Sequence, residues 1–161
     1  MTDVRGAIVS ALANSQFMLD RFIADLTPAE YLHRPTPKAN CPAWTVGHLI
    51  LTDRRTAARF GAEMPGLPEG FEQRFARDEH APAAADYGDV SGLRALFNET
   101  RGRLIDVVKR ATPEVLNQPL ENVHPRFKTV GEMALFMAIH TSMHAGQITI
   151  IRRCLGRPPL I

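Results

Sequence analysis

Hydrophobic residues recur along much of the chain at intervals of three and four, the spacing that places them on one face of an α-helix. The first such segment runs from about Val4 to Leu26, and the second from Thr45 to about Phe60. The third runs from Leu93 to Ala111, and the fourth from Val130 to Leu155. No segment shows the alternation of a β-strand. The pattern therefore predicts an all-α protein, a four-helix bundle that buries four apolar stripes against one another.

Two stretches of the sequence share the order and spacing of their residues. Each begins with Thr-Pro, at Thr27 and Thr112, crosses a proline-containing connector and reaches Thr-Val-Gly, at 45–47 and 129–131. Threonine is a good helix N-cap and proline is favoured at the first helical position, so convergent helix starts are one explanation. An internal duplication of a helix–loop–helix unit is the other, and we favour it because order and spacing both match.

The segment from Gly61 to about Ser91 joins the second and third helices and is long for a compact bundle. A connector of this length can run the full height of the bundle. It therefore permits parallel second and third helices, in an up-down-down-up order. Its apolar residues Met64, Leu67 and Phe71 are not needed by the four stripes, so they could serve a homodimer.

Length and composition indicate one globular domain spanning residues 1–161, with 45% hydrophobic and 22% charged residues. A net charge of +2 without a dense basic stripe argues against a nucleic-acid partner. No apolar run approaches the ~20 residues that span a bilayer, and no signal peptide is apparent. Cys41 and Cys154 fit no CxxC motif and are expected to be free thiols. We therefore expect a cytoplasmic protein with no membrane partner.

His140 and His144 lie four residues apart in the predicted fourth helix, on one face and one turn apart. Two imidazoles so placed can bind one metal ion, although the spacing also arises by chance. Both lie on a track of inward positions, which are Met133, Met137, His140, His144, Gln147, Ile151 and Cys154. Because an unmet buried polar group costs about 1–3 kcal/mol, a shared metal explains the pair better than separate hydrogen bonds do.

A third ligand must come from another helix, because bundles build metal sites from facing helices. His33, His80 and His124 lie in connectors and are expected to be solvated. His48, in the first turn of the second helix, is the best candidate. A helical wheel places His48 nearly opposite the main apolar cluster of its helix, so this assignment requires that the helix be covered on two sides.

Two polar residues near these positions have alternative explanations. Asp53 lies among the apolar residues of the second helix, where it could orient a metal ligand or pair with a buried arginine. The ion pair is the better explanation. Gln147 follows His144 by almost one turn and could bind a ligand of the site or, equally, pair with the backbone as a core amide.

The stretches NCPAWTVGHLILTDRR and HTSMHAGQITIIRRCLGRPP carry a resemblance to a known family. With the four predicted helices, they resemble the DinB/YfiT-like superfamily of bacterial proteins over essentially the whole chain. The second stretch is fairly specific, because it fixes two histidines, a glycine, a glutamine and a helix end together. The resemblance implies an up-down-down-up four-helix bundle that holds a divalent metal ion through His48, His140 and His144.

The resemblance also implies a class of chemistry, namely transfer or isomerisation that depends on glutathione or another low-molecular-weight thiol. Three neutral imidazoles leave an open position on the ion, which could activate a thiol or water. We expect zinc or nickel, while iron and manganese also tolerate imidazole. Two functions stay open: a transferase or hydrolase that acts on a small-molecule substrate, and a non-catalytic, stress-associated bundle with a structural metal.

Overall fold

The computed structural model describes residues 3–76, 82–121 and 126–160, and within them the chain is all-helical. The long helices are α1 (Val4–Ile23), α3 (Pro42–Arg59), α5 (Leu93–Arg110) and α7 (Val130–Cys154). The short helices are α2 (Pro28–Tyr31), α4 (Phe71–Phe75) and α6 (Pro113–Leu116), with a 3-10 turn at Ala84–Tyr87. The described residues contain no β-strand, and none of their helices is long and apolar enough to cross a bilayer. The all-α prediction is confirmed.

Helix α3 begins earlier than its sequence pattern suggested. Pro42 occupies the first helical position, where its missing N–H costs nothing, and Cys41 precedes it as the N-cap without a side-chain bond. Thr45, expected near the helix start, is instead buried inside the first turns. The earlier start moves His48 from the first turn of the helix to the second.

The two Thr-Pro sequences each start a short helix. The Thr27 hydroxyl accepts the N–H of Glu30 at the start of α2, and Thr112 accepts the N–H of Val115 at the start of α6. Each short helix leads through a connector into a long helix. The halves therefore share the order of their elements, but the duplication itself stays a prediction.

Two clusters of buried apolar side chains lie between the long helices. The first joins the C-terminal end of α1 to the first half of α3, the start of α5 and the second half of α7, with Leu19, Ile50, Phe97 and Ile148 as members. The second joins the start of α1 to the end of α3, the end of α5 and the first half of α7, with Leu12, Ala57, Leu104 and Met137 as members. Each cluster therefore draws side chains from all four long helices.

The connector between α3 and α5 packs into these clusters. Phe71 is only 4% exposed and belongs to the first cluster, Leu67 packs against that cluster, and Met64 packs against the second. The expectation that these three residues are spare surface for a homodimer is wrong, because they complete the core. Gly47 allows this packing, since a Cβ there would lie 2.2 Å from the Phe75 ring.

One buried arginine on α5 contacts the other three long helices. The Arg101 guanidinium donates two hydrogen bonds to the Asp53 carboxylate on α3, at 2.7 and 2.9 Å. It also donates to the Ser15 hydroxyl and the Leu12 carbonyl on α1, at 3.0 and 3.4 Å, and to the Thr141 hydroxyl on α7, at 2.7 Å. All five guanidinium N–H groups thus have an acceptor. The predicted ion pair of Asp53 with a buried arginine is confirmed.

A second group of ion pairs holds the C-terminal segment against the end of α1. Arg152 on α7 and Arg157 beyond it both bind the Asp25 carboxylate, and Arg157 also binds Glu30 at 2.7 Å. The Arg157 guanidinium, together with the backbone N–H of Thr27, lowers the pKa of Glu30 to about 2. These contacts fix the C-terminal end of α7 beside the C-terminal end of α1.

Removal of one partner from the Asp53–Arg101 pair is expected to destabilise the protein by about 3–5 kcal/mol, because the other charge stays buried and unpaired. Chemical denaturation of Asp53→Leu, followed by circular dichroism, measures this loss. Asp53→Leu combined with Arg101→Met should lose less than the single variant. Arg103→Met, which breaks an exposed pair with Glu99, is the matched control and should cost under about 1 kcal/mol. Equal losses in Asp53→Leu and Arg103→Met would contradict the role of the buried pair.

Candidate metal centre

Helices α3 and α7 bring three histidines together. The possible ligand atoms of His48, His140 and His144 all lie within 4.8 Å of one another. The ring centre of His48 is 5.2 Å from that of His140 and 5.6 Å from that of His144. The side chain of His48 can face α7 although it lies opposite the apolar cluster, because α3 is buried around most of its circumference.

The spacing of the two α7 histidines fits a shared ion. Their Nε2 atoms are 3.1 Å apart. Nitrogens that bind one ion at about 2.0–2.1 Å, with angles between about 90° and 109°, are themselves about 2.9–3.4 Å apart. The three-histidine group could therefore hold a metal ion, and neutral imidazoles are suitable donors for divalent transition metals.

Gln147 determines which nitrogen of His144 is available. The Nδ1 atom of His144 lies 2.8 Å from Oε1 of Gln147, and because an amide oxygen only accepts, Nδ1 donates its hydrogen. The lone pair of the neutral ring is therefore on Nε2, which faces His140. Such a bond to the outer nitrogen is usual for metal-binding histidines, since it fixes the tautomer and the ring orientation.

The predicted inward track on α7 is only partly correct. Met133, Met137, His144 and Ile151 are buried, whereas Gln147 and Cys154 are exposed. A track with a spacing of 3.5 residues drifts by about 20° per heptad around a straight helix of 3.6 residues per turn. The drift carries Gln147 and Cys154, each seven residues after the previous position of its row, out of the core, while Ile151 in the other row stays buried. Gln147 is therefore not a core amide.

Aromatic rings pack against two of the histidines. Trp44 stacks on His48 with ring centres 4.7 Å apart, and Phe136 stacks on His140 at 5.9 Å. Nδ1 of His140, the ring nitrogen that does not face His144, is buried and has no hydrogen-bond partner among the described residues. Trp44 and Phe136 each precede their histidine by four residues, a spacing that could have identified them in the sequence.

The surroundings keep the imidazoles neutral. Burial lowers the pKa of His140 to about 3, and nearby His144, His48 and Arg101 contribute to this shift. Burial also lowers the pKa of His144, although the hydrogen bond that His144 donates to Gln147 opposes this. Neutral imidazole is the form that binds a metal ion, so the site is ready for one at neutral pH.

The other histidines do not join this group. His33 lies in the connector after α2 and was expected to be solvated, but it is half-buried. Its Nε2 atom is shielded and lacks a hydrogen-bond partner within the described ranges. His80 and His124 lie outside the described residues.

The depressed pKa of His140 predicts how the stability of metal-free protein depends on pH. Below its ordinary pKa of 6.5, the unfolded chain binds a proton that the folded chain does not bind until about pH 3. The free energy of unfolding should therefore fall as the pH drops from 7 to 5. Denaturation of chelator-treated protein across this range measures the slope, which should be shallower in His140→Gln. An identical slope in the variant would contradict the assignment.

The class defined by this fold and site is an all-helical protein with a three-histidine cluster between two long helices. A model of the DinB superfamily matches residues 11–148, which include all three histidines, and the chain belongs to this family. No curated protein matches the chain. A similar solved structure is that of ClbS, a colibactin self-resistance protein, in complex with double-stranded DNA. It shares 19% sequence identity with a TM-score of 0.65, over 93% of this chain and 96% of that chain.

The ClbS complex overturns one expectation from the sequence. The net charge of +2 argued against a nucleic-acid partner, yet a protein with the same fold was solved on double-stranded DNA. The inference from charge was wrong because net charge sums over the whole chain. DNA contacts depend instead on where a few basic side chains lie.

Proposed function

We propose that the protein is a metal-dependent enzyme in which His48, His140 and His144 bind one divalent transition-metal ion. The observation that carries this proposal is the 3.1 Å separation of the His140 and His144 Nε2 atoms, with His48 beside them. When bound, such an ion supplies a Lewis acid that deprotonates a thiol or lowers the pKa of water to about 7. The reaction class is either transfer of a thiol to a small electrophile or hydrolysis of that electrophile.

The proposed scaffold is a single domain over residues 1–161, a four-helix bundle in up-down-down-up order. It is supported by the two core clusters, in which the C-terminal end of α1 meets the start of α3 and of α5. The ion pairs from Arg152 to Asp25 support a parallel arrangement of α1 and α7, because they join the same ends of both helices. The bundle brings the second turn of α3 beside the middle of α7.

The residues of the site favour zinc or nickel and an accessible ion. All three donors are uncharged nitrogens, so a bound divalent ion keeps its full charge for the substrate. The residues His48 and His140 are both partly exposed, which favours approach of substrate from their side. This exposure favours the enzyme over a non-catalytic bundle with a closed, structural site.

Purified protein should hold one transition-metal ion per chain, measured by elemental analysis after mild chelation. His144→Ala should lose the ion, and Gln147→Leu should bind it about 10–100-fold more weakly, because His144 loses its orienting bond. His33→Ala is the matched control and should keep full metal content. The only tryptophan of the chain, Trp44, stacks on His48, so its fluorescence should be quenched by nickel titrated into metal-free protein. Full metal content in His144→Ala would contradict the assignment of ligands.

Metal-loaded protein should also turn over small electrophiles with glutathione or another low-molecular-weight thiol, at a rate that His144→Ala abolishes. Binding of azide or thiol to the cobalt-substituted protein, seen as a spectral change, shows that the ion has an open position. A metal-loaded protein that binds neither ligand would support the non-catalytic bundle instead.

The likeness to ClbS favours a second candidate function, binding of double-stranded DNA. Arg55 and Arg59 near the end of α3 and Arg110 at the end of α5 are exposed, and no ion pair holds them within the described ranges. The ends of both helices meet in the second core cluster, which places these arginines at one end of the protein.

If DNA binds there, replacement of Arg55, Arg59 and Arg110 by alanine should weaken affinity for any duplex. The negative slope of log affinity against log salt concentration should become shallower by about 0.9 for each phosphate that the variant no longer neutralises. Fluorescence anisotropy of a labelled duplex at several salt concentrations measures both effects. Arg21→Ala, on α1, is the control. An unchanged slope in the triple variant would exclude this surface.

A further inference from the structure

The outer face of α7 carries most of the exposed apolar surface. Of the six large hydrophobic side chains that are exposed among the described residues, four lie there: Leu135, Ile139, Met143 and Ile150, between 41% and 59% exposed. At 100° per residue they lie on one face with Gly146, and the ligands His140 and His144 lie off this face. The core and the metal centre therefore do not use these side chains.

Opposite charges stand at the two ends of this face. Glu132 precedes the apolar residues and Arg153 follows them, and both are exposed. Neither forms an ion pair within the described part of the chain, where Glu132 only accepts the backbone N–H of Lys128. We call the face from Glu132 to Arg153, with its five apolar or small residues, the α7 stripe. It is about 32 Å long at 1.5 Å per residue.

The residues of the α7 stripe, taken from its first end, are complementary to those taken from its second end. When two copies lie antiparallel with a twofold axis between Ser142 and Met143, Glu132 faces Arg153 and Leu135 faces Ile150. Ile139 then faces Gly146, which leaves room for the larger side chain. We propose that a second copy of this chain packs antiparallel against the α7 stripe, forming a symmetric homodimer.

The neighbouring surface extends this contact. Val4 of α1 is 72% exposed and lines, with Ile8, Leu116 and Leu135, a groove of about 550 Å³ at the start of α7. In the antiparallel arrangement Ile150 of the second copy lies over this groove. A contact about 32 Å long and about 20 Å wide covers roughly 600 Å² of each copy, near the lower limit for a specific interface, so the dimer should have a micromolar Kd.

Two copies suit this surface better than an unrelated partner does, because six of the seven positions of the stripe have their complement within the stripe itself. The seventh, Met143, lies at the twofold axis against the exposed Ser142. The dimer also leaves both metal centres outside the interface. It therefore forms with or without metal, and its test does not depend on the proposed enzymatic function.

Sedimentation equilibrium at protein concentrations up to about 100 μM tests the proposal, since a micromolar dimer is then largely formed. The wild-type chain should show twice its mass of 17.9 kDa. Ile139→Glu should raise Kd at least about tenfold, because it places a charge in the apolar centre. Phe17→Glu is the matched control, an equally exposed apolar position on α1 at 62%, and should leave the dimer unchanged.

A charge exchange tests the antiparallel register itself. Glu132→Arg places two basic residues on each end pair, and Arg153→Glu places two acidic ones, so each variant alone should dimerise at least about tenfold more weakly. An equal mixture of the two variants should form a heterodimer. Each end pair then combines a basic side chain of one variant with an acidic side chain of the other, so neither end meets the repulsion present in the dimer of a single variant. Circular dichroism checks that both variants keep the helical content of the wild type.

A wild-type chain that stays monomeric at about 100 μM would overturn the proposal and assign the stripe to a partner of different sequence. A dimer that Ile139→Glu leaves intact would overturn it as well, since the contact would then lie on another face. A mixture of the charge variants that stays as weak as either variant alone would overturn the antiparallel register.

Discussion

The placement of the four long helices depends on the buried guanidinium of Arg101. Its bonds reach Asp53 on α3, Ser15 and Leu12 on α1, and Thr141 on α7, so no long helix can slide or rotate without breaking one of them. Burial raises the pKa of the Asp53 carboxyl, and the Arg101 guanidinium opposes this rise. Two buried charges are costly to desolvate, so their pairing is weak evidence for net stability, while its hydrogen bonds constrain how the helices can be arranged. In this chain that arrangement is the one that aligns α3 with α7.

The three-histidine cluster depends on this alignment. Thr141, which binds Arg101, directly follows His140 and lies three residues before His144, while Asp53 lies little more than one turn after His48. The same bonds that fix the core therefore set the distance across which the histidines meet. Stacking on Trp44 and Phe136 then orients two of the rings, and Gln147 orients the third. The positive charge of Arg101 also helps to keep His140 neutral.

The sequence predicted the parts of this arrangement that local spacing controls. The all-α class, the long helices and the proximity of His140 to His144 follow from periods of three and four, and the family resemblance supplied His48. The start of α3 was misplaced because Pro42 favours a helix start as strongly as Thr45 does. The partner of Asp53 could be anticipated as an arginine but not identified, because the pair spans 48 residues and forms only in the folded protein. The burial of Phe71 and the exposure of Gln147 likewise depend on the packing of whole helices.

The long separation of α1 and α7 along the sequence has a consequence for the order of folding. Helix α1 packs most extensively on α7, and Arg152 reaches back across 127 residues to Asp25. During synthesis α1 therefore leaves the ribosome long before its principal neighbour exists, with Leu12 and Phe22 still exposed to water. The two helices can pack only once α7 has been made, and the loop that closes in this step includes the separation of 127 residues between Asp25 and Arg152. Late closure of this kind leaves a nascent chain dependent on protection of α1 until α7 has been made.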